Sequence, residues 1–398
     1  MHSPTPPNAR RAAIDDIVGR VRAVAGPGDF IPLHEPEFAG NEWKYVKDCI
    51  DTGWVSSVGA YVDKFEAMLA EISGARHAVA TMNGTAALHI ALLLVGVERG
   101  DEVLVPSLTF IATTNAVSYA GATPHFVDSS FETLGLDPAA LDAYLGQIAD
   151  VVNGRCVNRA TGATIRAVVP VHIFGHPVDM PALATVAAKW GLRIVEDAAE
   201  GLGAFRGDRH CGTFAEVGTL SFNGNKVVTT GGGGAILTDD PELGRRAKHL
   251  TTTARVKHRW SFEHDEVGYN YRLPNLNAAL GCAQLERLDD LILRKRQLAR
   301  NYLEAFAGLD GVSIVREPEG TRSNYWLVAM LLDEADAEYR DALLTRLNDA
   351  GLMARPVWTL MHRLAPYRDC PRAPLPVAES IEARLINIPS SPGLSRSQ

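Results

Sequence analysis

Short β-rich runs alternate with helix-length segments from residue 77 to residue 238, and this alternation limits the possible folds more than any other feature. The runs cover 77–81, 101–106, 123–128, 165–172, 193–197, 217–222 and 233–238. Strands that are separated by helix-length connections form a sheet with helices on both faces. The alternation therefore predicts an α/β domain.

The sequence pattern changes after this region. Residues 276–306 have the period of one long amphipathic helix, which begins just after Pro274. Beyond it, residues 323–333 and 340–358 predict a strand, a helix and a strand, which is typical of a small α+β domain. We predict an N-terminal extension over 1–28, a large domain over 29–265 and a small C-terminal domain over 266–398.

The composition is that of a globular protein without nucleic-acid or membrane partners. The chain has 398 residues, of which 46% are hydrophobic, and a net charge of −8, so it lacks the basic field that nucleic acid binding needs. Its longest apolar stretch, 86–97, is too short to span a membrane, and the N-terminus lacks the apolar core of a signal peptide. We expect a cytoplasmic protein whose five cysteines are reduced, since no C-x-x-C pair occurs.

The stretch "SFNGNKVVTTGGGGAI" places Lys226 between a strand and four glycines. A lone lysine is most often a solvated surface residue, because lysine is rarely buried without a partner. This lysine, however, follows the end of a strand, where α/β proteins bind ligands. A desolvated amine at that edge is suited to Schiff-base chemistry with an aldehyde or ketone.

Two further strand ends carry polar candidates. In "TMNGTAAL", Gly84 and Thr85 begin an apolar helix, and this start is either a simple helix cap or a seat for a phosphate. In "RIVEDAAEGLGAFRG", Asp197 and Glu200 follow a buried strand. Acidic residues at strand ends are usually solvated, but a carboxylate in a dry cleft can also keep a ring nitrogen protonated. The "GLGAFRG" part is a weak match to a dinucleotide-binding loop.

Other features have mainly structural interpretations. Phe110 in "PSLTFIAT" can be a core residue or can stack on a flat cofactor, and spacing alone favours the core. His172 and His176 have a metal-like separation, but a third ligand is absent nearby, so we expect no metal site.

The combination of these motifs resembles a known family. The segments "NGTAAL", "PSLTFIAT", "EDAAE", "SFNGNK" and "GYNYRLPNLNAALGCAQLE" are similar to the DegT/StrS-type nucleotide-sugar aminotransferases, from about Ile31 to Pro389. The resemblance implies the aspartate aminotransferase fold, which is fold type I of pyridoxal phosphate enzymes. That fold has a mixed, mostly parallel seven-stranded sheet flanked by helices and a small C-terminal α+β domain.

The resemblance also implies a role for each candidate residue. Lys226 would hold pyridoxal 5′-phosphate and move the proton, with pyridoxamine phosphate as the intermediate form of the cofactor. Asp197 would pair with the ring nitrogen, Glu200 would lie near the ring hydroxyl, and Phe110 would stack on the ring. The phosphate would be bound by Gly84, Thr85 and Ser221, and by Asn270 of the neighbouring subunit of a homodimer. Arg272, His258 and His362 would border the sugar-nucleotide cleft.

The predicted activity is transfer of an amino group from L-glutamate to C4 of a nucleotide-linked 4-keto-6-deoxy sugar. The segments "TTGGGGAILTDD", "AKHLTTTARVKHRW" and "RPVWTLMHRL" resemble the branch that aminates UDP-4-keto-6-deoxy-N-acetylhexosamines, as in bacillosamine and legionaminic acid synthesis. A GDP-4-keto-6-deoxymannose aminotransferase, as in perosamine synthesis, is the alternative. A non-catalytic regulatory protein and a nicotinamide-dependent sugar oxidoreductase are the remaining hypotheses.

Much of the family has G-E-G-G where this chain has Gly231 to Gly234, so a carboxylate is absent at position 232. Relatives that run dehydration instead of amino transfer have a histidine where this chain has Lys226. The lysine therefore disfavours dehydration.

Overall fold

The computed structural model describes residues 7–395, with side chains from residue 13 onward. Its helices are α1 Pro7–Ala25, α2 Glu42–Thr52, α3 Ala60–Ser73, α4 Gly84–Leu94, α5 Ile111–Tyr119, α6 Pro138–Ile148, α7 Met180–Trp190, α8 Pro241–Thr251, α9 Asn275–Leu285, α10 Leu288–Ala305, α11 Ala337–Asp349 and α12 Pro376–Glu382. Short 3-10 turns lie at Ile173–Gly175, Met361–Arg363 and Pro392–Ser395.

The strands fall into a large central sheet and three smaller sheets. They are β1 His77–Thr81, β2 Glu102–Pro106, β3 Thr123–Val127, β4 Ala149–Val152, β5 Arg155–Asn158, β6 Thr164–Val168, β7 Arg193–Asp197, β8 Phe205–Arg206, β9 Arg209–His210, β10 Val217–Ser221, β11 Gly234–Thr238, β12 Arg255–Val256, β13 Glu263–His264, β14 Val312–Ile314, β15 Thr321–Arg322, β16 Val328–Leu332, β17 Arg355–Pro356 and β18 Leu385–Ile388.

The central sheet has the order β1-β11-β10-β7-β6-β2-β3, with the β4–β5 hairpin attached to β6. Strand β11 is antiparallel to both of its neighbours, whereas the pairs from β10 to β3 along this path are parallel. The predicted fold class, a mixed and mostly parallel sheet flanked by helices, is therefore confirmed. All seven predicted strands are present, each within a few residues of its predicted bounds.

Helices cover both faces of this sheet because its buried strands are apolar on both sides. In β2, Val103 and Val105 belong to one hydrophobic core, while Leu104 between them belongs to another. The first core includes α4, and the second includes α6 and α7. Since successive side chains of a strand point to opposite faces, one strand contributes to both layers.

The predicted single helix over 276–306 is wrong: the structure has two helices, α9 and α10, that meet at Glu286 and Arg287. The side chain of Arg287 donates to the backbone oxygen of Glu37 at 3.2 Å and to its carboxylate at 2.6 Å. Glu286 accepts hydrogen bonds from the side chains of Asn41 and Tyr45. Contacts with the N-terminal segment thus hold both residues of the break.

The C-terminal part has its own core. The strands β14, β16, β18 and β17 form an antiparallel sheet in that order. Helix α1 packs there: Ile17 and Val21 share a hydrophobic cluster with Leu298 and Tyr302 of α10. The first six residues of the predicted N-terminal extension lie outside the described chain. Within residues 7–395, none of the helices has the length and apolar composition that crossing a bilayer requires.

Candidate active site

Several strand and helix ends meet at one edge of the central sheet. Strands β7 and β10 are parallel neighbours, with Asp197 opposite Thr219, so their carboxyl ends lie side by side. Strand β1 runs in the same direction as β10, because both are antiparallel to β11, and it leads into α4. Strand β2 leads through Phe110 into α5. This carboxyl edge is where open α/β sheets bind ligands.

Lys226 lies in the loop after β10 and contacts a buried carboxylate. Its Nζ donates to Glu200 Oε1 at 3.2 Å and lies 3.7 Å from the centre of the Trp326 ring. The indole N–H of Trp326 donates to the backbone oxygen of Asn225 at 2.7 Å, which fixes the loop beside the lysine. The amine therefore sits between an anion and an aromatic face, both of which favour a cation.

Glu200 is held from its other side by a strained residue. Its Oε2 accepts a 2.7 Å hydrogen bond from the backbone N–H of Phe174, whose φ of 55° lies in the left-handed region. Burial raises the pKa of Glu200 above its ordinary value, and the charge of Lys226 opposes this effect. Strain of this kind is characteristic of functional sites.

Asp197, at the end of β7, is 3% exposed. Its Oδ2 accepts a 2.7 Å hydrogen bond from the hydroxyl of Thr113, and its Oδ1 accepts one from the Ala199 N–H at 3.1 Å. Burial raises the pKa of Asp197, while the hydrogen bonds from Thr113 and Ala199 lower it. A buried carboxylate with donors on both oxygens is a rigid acceptor for a proton-bearing ligand atom.

The N-terminus of α4 lies beside the end of β10, next to Ser221. Asn83 caps this helix by accepting from the Ala86 N–H at 2.8 Å. A Cβ on Gly84 would come 2.9 Å from the Cβ of Ser221, and a Cβ on Gly234 would come 2.5 Å from the Asn83 carbonyl. Glycine is therefore required for the close approach of β10 and β11 to this helix start. The first N–H groups of a helix lack intrahelical acceptors and favour an anion.

These groups line one cavity of about 330 Å³. Its lining includes seven predicted site residues: Gly84, Thr85, Phe110, Asp197, Glu200, Ser221 and Lys226. Phe110 is 52% exposed and packs against Trp358 with ring centres 6.2 Å apart, so it is not a core residue. The structure thus brings the lysine, both carboxylates, the ring and the helix start together.

The other four predicted residues lie outside the lining of this cavity as the described residues form it. Asn270 is exposed and pairs through its backbone with Thr252. The Arg272 guanidinium contacts the Thr252 hydroxyl at 3.4 Å. His258 is exposed, and its Nδ1 accepts from the Ser261 N–H at 2.9 Å. These three residues belong to one surface region around the β12–β13 hairpin.

His362 has a structural contact that the sequence did not suggest. Its Nδ1 lies 2.8 Å from the Ser107 hydroxyl, and the residue is 9% exposed. This contact joins the C-terminal part of the chain to the loop that carries Phe110. Burial lowers the pKa of His362.

Several residues that line the cavity were not predicted from the sequence, among them Thr113, Trp326 and Trp358. Thr113 is part of the quoted "PSLTFIAT" motif, so its spacing from Phe110 was a usable signal. Trp326 and Trp358 come from the C-terminal part of the chain and reach the lysine only through the tertiary fold. The "GLGAFRG" segment contains strand β8 and is followed by strand β9 instead of a helix, so it lacks the structure of a dinucleotide-binding loop.

The residues of the cavity fit pyridoxal phosphate. A helix start with two close-packed glycines can take its phosphate, the Asp197 carboxylate can accept from its ring nitrogen, and Lys226 offers the amine that binds its aldehyde. A cavity of this size is also within the range of small-molecule sites.

Comparison with known proteins agrees with this chemistry. Residues 36–398 match the model of the DegT/DnrJ/EryC1/StrS aminotransferase family. The chain is 39% identical to the GDP-perosamine synthase of Escherichia coli O157:H7, over 93% of this chain and 95% of the relative. It is 38% identical to the GDP-perosamine synthase of Vibrio cholerae, over 92% and 96% of the two chains. The solved structure of the aminotransferase TlmJ from Streptoalloteichus hindustanus superposes with a TM-score of 0.82 at 29% identity, over 91% of this chain and 93% of that one.

The family match spans nearly the whole chain, and the cavity holds the lysine, carboxylates and anion seat that a pyridoxal phosphate enzyme needs. The chain belongs to the DegT/DnrJ/EryC1/StrS aminotransferase family and is a pyridoxal phosphate-dependent sugar aminotransferase.

Proposed function

We propose that the enzyme transfers the amino group of L-glutamate to C4 of GDP-4-keto-6-deoxymannose. The observation that carries this choice of acceptor is the shared name of three full-length relatives: proteins 39%, 38% and 37% identical to this chain are each named GDP-perosamine synthase. The branch segments of the sequence favoured a UDP-linked N-acetylhexosamine instead. The relatives favour the GDP-linked alternative over that prediction.

When bound, pyridoxal phosphate supplies a carbonyl that combines with amines and a ring that withdraws electrons from the adjacent carbon. Asp197 would accept a hydrogen bond from the ring nitrogen and keep the proton there, because its carboxylate faces the cavity with both oxygens held. Lys226 Nζ would then remove the proton from the α-carbon of glutamate and pass it to the cofactor, and in the second half of the reaction it would carry a proton from the cofactor to C4 of the acceptor sugar.

Glu200 would hold Lys226 Nζ in place while the amine is not joined to the cofactor, since the two groups are 3.2 Å apart. The Phe174 N–H fixes the direction of the Glu200 carboxylate. Phe110, Trp358 and Trp326 would cover flat surfaces of the bound cofactor and exclude water. Gly84, Thr85 and Ser221 would bind its phosphate.

We infer that the active enzyme is a homodimer in which Asn270 reaches the phosphate of the partner copy. Asn270 is exposed and outside the cavity of its own chain. The neighbouring hairpin region exposes large apolar side chains, with Trp260 71% and Phe262 75% exposed. Two large apolar side chains that are exposed so close together favour a protein interface at this hairpin. Arg272 and His258 lie in the same region, where they would meet the diphosphate of the acceptor.

A substrate panel tests the proposed acceptor. Purified enzyme is incubated with L-glutamate and with UDP-, GDP- and dTDP-linked 4-keto-6-deoxy sugars, and the aminated products are identified by mass spectrometry. We expect the GDP-linked sugar to be converted fastest, and Lys226→Ala to be inactive with every acceptor. Faster conversion of the UDP-N-acetyl sugar would restore the first branch prediction. A wild-type protein that binds the cofactor but aminates none of these sugars would favour the regulatory hypothesis.

A further inference from the structure

We propose that Thr113 is a positioning residue that holds the Asp197 carboxylate in one orientation and in its ionised form. Asp197 can then keep the ring nitrogen of the cofactor protonated, so the inference rests on the role proposed above for Asp197. Thr113 lies in the first turn of α5, three residues after Phe110. It lines the cavity, and its hydroxyl donates a hydrogen bond to Asp197.

Among the described side chains, Thr113 is the one that donates a hydrogen bond to the Asp197 carboxylate. The Thr113 hydroxyl lies 2.7 Å from Oδ2, and both residues are at most 3% exposed. The second donor, the backbone N–H of Ala199, is longer at 3.1 Å. Within residues 13–395, Asp197 makes no ion pair, and Lys226 pairs with Glu200 instead. An isolated buried carboxylate tends to become neutral unless donors compensate for its lost hydration.

A second hydroxyl fixes the direction of the hydrogen bond. Thr109 Oγ1 lies 3.1 Å from Thr113 Oγ1. An ionised carboxylate only accepts, so Thr113 must donate its single proton to Asp197, and its oxygen is then free to accept from Thr109. While Asp197 is ionised, Thr109 therefore donates to Thr113 and Thr113 donates to Asp197. A neutral Asp197 would remove this constraint.

The titratable groups that face Asp197 are Lys226, His172 and Glu200. The charges of Lys226 and His172 favour the ionised Asp197 carboxylate by lowering its pKa, and the charge of Asp197 raises the pKa of Glu200. The charges of these three groups depend on their own protonation. Thr113 is neutral throughout, so its support for Asp197 is independent of these charges.

The chain offers a matched control in the next residue. Thr114 is also fully buried in α5, and its hydroxyl has no hydrogen-bond partner within the described chain. Thr113→Val and Thr114→Val therefore make the same chemical change one residue apart. Thr113→Ser keeps the hydroxyl, and Thr113→Ala provides a second hydroxyl-free variant if the valine perturbs packing.

The test is the protonation of the ring nitrogen, followed by ¹⁵N NMR in enzyme reconstituted with ring-¹⁵N pyridoxal phosphate. We expect Thr113→Val and Thr113→Ala to carry this proton on the ring nitrogen in a smaller fraction of molecules, with the nitrogen-to-carboxylate proton ratio lowered by roughly tenfold or more, because the loss of one hydrogen bond to a charged group makes Asp197 the stronger base. Thr113→Ser and Thr114→Val should match wild type. Equal protonation of the ring nitrogen in wild type and both hydroxyl-free variants would overturn the proposal.

A cofactor-free measurement separates this inference from the assignment of the cofactor site. The Asp197 signal is identified by ¹³C NMR of labelled aspartate carboxyls, using Asp197→Asn for comparison. Without the Thr113 hydroxyl, Asp197 should titrate at a higher pH than in wild type. An unchanged titration contradicts the role of Thr113, whereas a shifted titration in a protein that does not bind pyridoxal phosphate supports the contact and refutes the cofactor chemistry.

Discussion

Asp197 and Glu200 are two buried carboxylates in one cavity, and burial raises the pKa of both. Each has dedicated donors: Asp197 has Thr113 and Ala199, and Glu200 has Phe174 and Lys226. Groups that a binding site needs in an ionised form reduce the stability of the protein without its ligand. At the scale of single residues, the account therefore makes linked predictions about activity and stability.

Replacing Asp197 by asparagine should preserve the fold and lower turnover, on the order of a hundredfold or more, since a neutral amide cannot hold the ring nitrogen charged. Steady-state kinetics with glutamate and the sugar nucleotide measure the loss. Asp208→Asn, at an exposed turn, is the control. Near-normal turnover in Asp197→Asn would refute the role of this carboxylate.

The same variant should stabilise the cofactor-free protein at neutral pH. The folded-state pKa of Asp197 is raised, so its favourable contribution to stability is present below the ordinary aspartate pKa and is lost as pH rises through the folded-state value. The free energies of unfolding of wild type and Asp197→Asn, measured with denaturant, should therefore differ at neutral pH and become similar in acid. A variant that is less stable than wild type at neutral pH would contradict the raised pKa.

Arg272 provides a test of the acceptor side. Its Nε has no hydrogen-bond partner within the described chain, and its guanidinium only touches Thr252 at 3.4 Å. Arg272→Ala should slow the sugar-nucleotide half-reaction by about tenfold to a hundredfold and leave the glutamate half-reaction nearly unchanged. Each half-reaction is measured separately from the change in absorbance of the cofactor. Arg300→Ala, on the exposed face of α10, is the control. Equal losses in both halves would assign Arg272 to the cofactor, the donor or the fold.

At the scale of elements, the glycine run at 231–234 shows how backbone contacts build the site. Gly231 has a positive φ of 78°, and added Cβ atoms on Gly233 and Gly234 would collide with Thr230 and Asn83. Gly232 differs, because its nearest atom beyond the chain neighbours is the Met82 oxygen at 3.8 Å. Packing therefore permits a side chain at 232 but not at 234.

We expect Gly234→Ala to displace the start of α4 and weaken cofactor binding, roughly tenfold or more, because something must shift when a Cβ lies 2.5 Å from backbone. Gly232→Ala should bind the cofactor like wild type. Fluorescence titration of the cofactor-free variants with pyridoxal phosphate compares the two. Similar affinities for both variants would show that the approach of β11 to α4 is less tight than the structure indicates.

Local patterns predicted the elements well where local forces decide them. The seven strands were recognisable because strands that are buried on both faces of a sheet are continuous apolar runs. The break between α9 and α10 was not, since Glu286 and Arg287 are held by Asn41, Tyr45 and Glu37 from far along the chain. Helical periodicity does not predict hydrogen bonds to residues so far away in the sequence.

The residues of the candidate site also fall into two groups, those that the local sequence predicted and those that depend on distant contacts. Residues next to strand ends, such as Asp197 and Lys226, were predictable because strand ends share one edge of the sheet. Trp326 and Trp358 were not, because their place depends on how the C-terminal part packs on that edge. The contact between His362 and Ser107 was not predictable either, since the two residues are far apart in the sequence, and the place of His362 at the sugar-nucleotide cleft stays a prediction.

At the scale of the whole molecule, we expect each complete site to need two chains, because the proposed homodimer places Asn270 in the site of its partner. Lys226→Ala chains and Asn270→Ala chains, mixed and allowed to exchange, should form heterodimers with one native site, since that site takes its lysine from one chain and its asparagine from the other. Random exchange should restore activity to about a quarter of the wild-type value. Kinetics before and after exchange measure the recovered activity, and native mass spectrometry of the mixture shows that heterodimers have formed. If confirmed heterodimers stay as inactive as the parents, each site is complete within one chain.

The central claim is that Lys226 is the residue that binds the cofactor in this cavity. Borohydride reduction of the purified enzyme, followed by proteolysis and mass spectrometry of the peptides, tests it most directly. The account predicts that pyridoxal phosphate is fixed to the peptide that contains Lys226 and that Lys226→Ala yields no labelled peptide. Cofactor fixed to another lysine of the wild-type chain, or a wild-type protein that takes up none, would contradict it.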